Sequence, residues 1–165
     1  MRMGHVLLAI LLVACARPRT DVAIVPDVIR ADADTLVGRA YDMSEEPDTR
    51  VMALQLRDGT TMLMGGPLSV TMRALARVGS GVEVWVAGKR DSTAFFVDAF
   101  EVRRVGPQPV DDGVVNVIGN RVTLLTRRGE RVDVPDAPAP LRYLDGSRVW
   151  VTRAVPVTFG IIVRR

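Results

Sequence analysis

Two stretches of the chain read alike, and this echo constrains the fold more than any other feature. RVMALQLRDGTTMLMGGP (50–67) resembles RVTLLTRRGERVDVPDAP (121–138). VGSGVEVWVAG (78–88) is answered by LDGSRVWVTR (144–153), with Trp150 standing for Trp85, and FEVRRV (100–105) by GIIVRR (160–165). The spacing is 71 residues at the Arg-Val pairs and 65 at the tryptophans. The echo predicts two tandem modules, the second abbreviated, with Gly106-Pro107-Gln108-Pro109 in a linker over 106–112. One larger sheet shared by both halves is the alternative.

Each copy is written in strand-like runs. A first strand covers 35–43, followed by an acidic loop over 42–48 with Tyr41 at its edge. Residues 50–57 alternate apolar and polar over their second half, Asp58-Gly59 is a strong hairpin signal, and 60–64 returns. The one helix expected is at about 68–78. There Leu68, Met72, Leu75 and Ala76 share a face, and Gly79 closes it. In 81–88, Val82, Val84 and Val86 lie on one side and Glu83 and Trp85 on the other. After a turn over 89–92 comes a strand at 95–105, where the adjacent Phe95 and Phe96 must point to opposite faces. One of them is expected outside the core, marking a contact between modules. In the second copy Pro135, Pro138 and Pro140 forbid a long helix.

The order of three strands, a helix and two strands resembles that of the OB-fold, a five-stranded, partly open barrel. The resemblance rests on element order and covers about 35–105; an SH3-like or other small barrel is the rival. The expected fold class is therefore mainly β, with two tandem small OB-like β-barrel modules over 35–105 and 113–165. OB-folds meet their ligands on the second and third strands and on the loops between strands 1 and 2 and strands 4 and 5. That resemblance implies loops 42–48 and 89–92, with Tyr41, Glu45, Glu46, Trp85, Lys89 and Arg90 as candidate contacts. An acidic and a basic loop side by side suit a zwitterionic or protein partner better than a polyanion, though the two loops could equally bridge to each other. Trp85 is expected to be covered by the tether or the second module rather than to stack on a ligand.

The amino terminus carries a different message. Arg2 precedes an unbroken apolar run, 6–14 (VLLAILLVA). A membrane-spanning helix needs roughly 20 such residues, whereas the core of a secretory signal peptide needs ~7–15. Leu12-Val13-Ala14-Cys15, which holds the only cysteine, resembles the lipobox of bacterial lipoproteins. The resemblance implies a signal peptide over 1–14, cleavage before Cys15, acylation of its thiol, and a tether over 15–34. Multiple acylation would make the anchoring stable, since one chain alone holds a protein only marginally. Residues 22–25 (VAIV) could dock on the domain as an extra strand. Alanine rather than aspartate at 16 implies an outer-membrane location facing the periplasm.

The inventory of the mature chain excludes much chemistry. His5, the only histidine, leaves with the signal, so the remaining 151 residues hold no histidine. No Ser-His-Asp or Cys-His set is possible, and neither is a zinc site of the His/Cys kind. Glycine-rich phosphate loops and the GxSxG elbow are missing. With 22 basic against 19 acidic residues and eight aromatics, nothing suggests a nucleic-acid partner. The carboxylate groups, Asp32 with Asp34, Glu45-Glu46 with Asp48, and Asp111-Asp112, are expected in solvated loops and tether. None fits a calcium loop, and no metal or cofactor is expected. The arginine pairs at 103–104, 127–128 and 164–165 are expected at solvated strand ends. The sequence points to a non-catalytic, lipid-anchored cell-envelope protein whose β modules bind a protein or surface polymer. A small-ligand or metal-binding accessory lipoprotein is the alternative, and an enzyme using carboxylates comes third.

Overall fold

The computed structural model describes residues 29, 31–43, 51–65 and 70–165. The signal peptide, Cys15, most of the tether with 22–25, Glu45, Glu46 and Leu68 lie outside the described residues. The fold is mainly β: the described residues form ten strands, one α-helix and one 3-10 turn.

In the first half the elements are β1 (Asp34–Asp42), β2 (Met52–Leu56), β3 (Thr61–Gly65), α1 (Val70–Val78), β4 (Val82–Arg90) and β5 (Phe95–Val105). β1 lies antiparallel to both β2 and β4, β2 to β3, and β4 to β5. β3 runs parallel to β5 through Met64↔Phe95 and Gly65↔Phe96. Each of the five strands is thus bonded to two others, and the circuit β1–β2–β3–β5–β4 returns to β1. Alternate side chains enclose a core that includes Ala40, Leu54, Met64, Val84, Val86 and Phe95. α1 adds Met72, Ala74 and Leu75 from one face, as its 3.6-residue period requires.

The second half contains β6 (Gln108–Ile118), β7 (Arg121–Thr126), β8 (Arg131–Asp133), β9 (Arg148–Thr152) and β10 (Phe159–Val163). A 3-10 turn at Ala139–Tyr143 stands in the place of the helix, with proline at its start. The pairing scheme repeats: β6 with β7 and β9, β7 with β8, β9 with β10. The turns repeat too. Gly59 N–H donates to Leu56 O (3.1 Å) as Gly129 N–H does to Thr126 O (3.0 Å). Both glycines sit at positive φ, 86° and 79°, which the hairpin demands. Register therefore aligns this hairpin at an offset of 70 rather than the 71 suggested by the Arg-Val pairs. The tryptophans stay 65 apart, since Val37 faces Trp85 and Asp112 faces Trp150. The closing strands are 59 apart, with Trp85 opposite Glu101 and Trp150 opposite Gly160.

One link of the first circuit has no counterpart. β8 pairs only with β7, and β10 only with β9. The offsets explain why. β10 begins at the position of Phe100, so no strand answers residues 95–99, the stretch whose start reaches β3; residues 154–158 stand there outside any strand. Pro135 also stands where Gly65 pairs in the first half, and a proline has no N–H to give a ladder.

The chain does not leave the sheet between the halves. Gly106 and Pro107 form a turn, and β6 starts at Gln108, inside the expected linker. It joins β5 through Arg104↔Pro109 and Val105↔Gln108, and Pro109 is tolerated near the strand's beginning. All ten strands thereby connect in one sheet. Asp112, expected in solvent, is instead 5% exposed. Arg148 Nε and Nη2 donate to its two oxygens at 2.8 and 2.9 Å, and Val102 N–H donates at 2.8 Å. Arg148 also donates to Phe100 O at 2.6 Å and stacks on the Phe100 ring, 4.4 Å from its centroid. This compensated burial pins β9 and β6 to β5. Val110 and Ile162 from the second half complete the first half's core, with Trp150 packed against it.

Candidate functional site

The strand period places an apolar row on the outer surface of β1, β2, β3 and β5. Ala40, Leu54 and Met64 point inward, so Tyr41, Ala53 and Leu63, mutually opposite in register, point outward. Met43 and Val51 extend the row, linked by Met43 N–H donating to Val51 O at 2.7 Å. Phe96 continues it at the other end, its ring against Gly65. Leu63 is 47% exposed, Met43 53%, and Val51 and Phe96 37% each. Ala53 is covered, at 1%. Tyr41 is held by its hydroxyl, which donates to Gln55 Oε1 at 3.4 Å. The row ends at the loop between β1 and β2, the loop expected to be acidic. Phe95 is fully buried, so the two phenylalanines divide as the strand period requires; the Phe96 ring lies beside Gly65, within the first half.

The other residues singled out from the sequence are dispersed. Trp85 lies on the same outer face but opposite Val37. That is four residues along β1 from Tyr41, about 13 Å at ~3.3 Å per residue. Arg127, from the β7–β8 turn, sits over the Trp85 ring at 5.4 Å, so the second half covers it in part. This Arg127 is one member of an arginine pair expected in solvent. Lys89 pairs with Asp32 of the tether. Arg90 is exposed at the end of β4, opposite Phe95. The turn beyond it is fixed by Asp91, whose Oδ1 accepts from Thr93 N–H (2.7 Å), Thr93 Oγ1 (2.9 Å) and Ala94 N–H (3.1 Å). Those donors hold the Asp91 carboxyl below its ordinary pKa, because they stabilise the ionised form. Tyr41 and the 89–94 turn therefore frame the apolar row, and Trp85 lies to one side.

A second feature, in the other half, was not singled out from the sequence. A cleft of about 440 Å³ opens beside β8 and the end of β9, within the ~300–1,000 Å³ common for ligand sites. Leu124, Val134 and Val151 contribute apolar walls; Asp111, Asp136 and Arg153 also line it. Arg153 Nε and Nη2 hold Asp111 at 2.8 and 2.5 Å. Arg121 holds Asp133 at 2.9 and 2.8 Å. That hydrogen-bonded pairing pulls the Asp133 pKa down. Asp136 adopts φ 56°, a conformation uncommon outside glycine. The signal for this cleft was present in the sequence: between tryptophan and closing strand the second copy is five residues shorter by the echo, and six by the strand register.

Among the described residues no group of three or more His, Cys, Asp or Glu is placed to hold a metal ion. No helix among them is long and apolar enough to cross a membrane. Compared with protein-family models, curated proteins and solved structures, the chain matches none.

Proposed function

We propose that this is a non-catalytic, lipid-anchored protein of the bacterial cell envelope, built from two tandem OB-like modules. Its first module binds a protein or surface-polymer partner. The lipid anchor rests on the LVAC sequence at 12–15. The five-strand circuit of the first half, with its parallel β3–β5 link, supports a closed OB-like barrel; the same scheme lacking that link supports a second, open copy.

The observation that carries the binding role is the exposed set Met43, Val51, Leu63 and Phe96, with the half-buried Tyr41 beside it in the same row. A large apolar side chain standing alone on a surface needs no explanation, whereas a contiguous apolar patch marks an interaction surface. The row lies across the strands by which OB-folds meet ligands. The sequence carries carboxylates at 45, 46 and 48, after β1, and cations at 89 and 90, at the end of β4, a composition that fits a partner bearing both signs.

The test is photo-cross-linking in cells, with a cross-linking amino acid at Leu63 in the full-length chain and the same probe at Ile118 as a remote control. One discrete envelope component captured from Leu63 and not from Ile118 is expected, with capture lost in Cys15→Ser. Retention of Cys15→Ser in the membrane at the wild-type level would remove the anchor. Identical capture from both probe positions would remove the binding face.

A further inference from the structure

The cleft in the second half occupies the place where the first half is filled by one side chain. Leu54, Met64, Val86 and Phe95 belong to one buried cluster; Met64 and Phe95 are register partners, and Phe95 is fully buried. The offsets put Leu124, Val134 and Val151 at the positions of Leu54, Met64 and Val86. Those three line the cleft, and the position of Phe95 falls to the small Ala154, outside any strand. We propose that this cleft is a docking site for an extended segment of a partner protein, which lays one aromatic or large aliphatic side chain in the volume that Phe95 fills in the first half.

The main chain around the cleft suits a peptide. Val134 N–H donates to Val122 O and Thr126 N–H to Glu130 O. By strand alternation, Arg131 and Asp133 turn their main-chain groups away from β7, leaving donors and acceptors that an added strand can pair. The charge at the mouth selects the partner further. Asp111 and Asp133 each hold an arginine, whereas Asp136 makes no ion pair among the described residues. Arg142 shares the adjoining hollow with Asp136 without an ion pair to it among the described residues, so the Asp136 carboxylate at the mouth can take a Lys or Arg that the docked segment carries next to its apolar residue. This site goes beyond the proposed role of the first module and uses a different half, so either can fail without the other.

The probe is a fluorescein-labelled peptide, KTAFFVK, which copies residues 93–97 between two lysines. It is titrated into the purified full-length protein in mild detergent and followed by anisotropy. Saturable binding is expected. Val155→Trp fills the mouth at a position 85% exposed, and Asp136→Asn removes the carboxylate while tolerating the positive φ; each is expected to weaken binding by about tenfold. Leu63→Asp is expected to leave it unchanged. No saturable binding, or equal binding by wild type and both cleft variants at unchanged thermal midpoints, would overturn the proposal. So would a tenfold gain on deleting residues 16–28, which would make the chain's own segment the occupant. A dimer that the peptide dissolves would make the occupant a second copy and overturn it equally.

Discussion

Arg148 spends its guanidinium on three partners at once: both oxygens of Asp112, the carbonyl of Phe100 and the Phe100 ring. The Asp112 side chain is 2% exposed and that of Arg148 13%. Taking away one member strands the other charge where water cannot reach it, which costs about 3–5 kcal/mol. Arg148→Ala is expected to destabilise the second half by that amount in denaturant unfolding. Asp112→Leu/Arg148→Met is expected to recover part of the loss, since no charge is left buried. Recovery stays partial because Val102 N–H loses its acceptor, and an unmet buried donor costs about 1–3 kcal/mol. A loss below about 1 kcal/mol in Arg148→Ala would mean that water reaches the pair. No local pattern of residues marks this clamp. Asp111 and Asp112 look alike in a string, and their partners Arg153 and Arg148 lie 42 and 36 residues away. Only the strand register separates an exposed pair from a buried one.

Elements were more legible than contacts, because periodicity is local and pairing is not. The 2-residue period of residues 82–86 and the Asp-Gly turn at 58–59 suffice to place β4 and the β2–β3 hairpin. They say nothing of the parallel β3–β5 link, which depends on how far β5 extends toward its start. Two consequences belong here. Gly160 lies beneath the Trp150 ring, where an added Cβ would come within 2.4 Å of the indole. Gly160→Ala therefore has to shift the ring or β10, and overpacking of this kind costs about 1–3 kcal/mol. A thermal midpoint equal to wild type would show that the ring moves freely. The turns respond to acid. Asp58 and Asp91 are held below the ordinary 3.8 by backbone hydrogen bonds, chiefly from Thr60 and Thr93, and Asp133 by Arg121. A depressed carboxylate contributes stability in full above its unfolded pKa and loses it as pH falls through its folded one. Stability should therefore fall on acidification from about pH 4 downward. Asp91→Asn, which keeps an acceptor and cannot titrate, should flatten that fall, as urea midpoints at successive pH values will record.

At the scale of the whole molecule, two similar halves need not unfold separately. Repeat arrays hold together by nearest-neighbour contacts, and here, besides Arg127 over the Trp85 ring, three others join the halves. Two register pairs join β5 to β6, the Asp112–Arg148 clamp ties β9 to β5, and Val110 and Ile162 sit in the first half's core. The second half retains its own cluster around Val115, Leu124, Leu141 and Val149, but its sheet is open where the first half's closes. It thus depends on the junction more than the first half does. Wild type is expected to unfold in one transition, followed equally by fluorescence and by far-ultraviolet dichroism. Arg148→Ala weakens the junction and is expected to split that transition, the second half melting first. The two tryptophans assign the phases. Trp85 reports the first half and the loss of Arg127 from its ring, and Trp150, packed between β10 and the first half's core, reports the junction, so Trp85→Phe and Trp150→Phe each silence one signal. Two transitions already in wild type would mean that the junction is weaker than its buried pair implies. A single transition in Arg148→Ala at a lowered midpoint would mean that Ile162 and Val110 suffice to couple the halves.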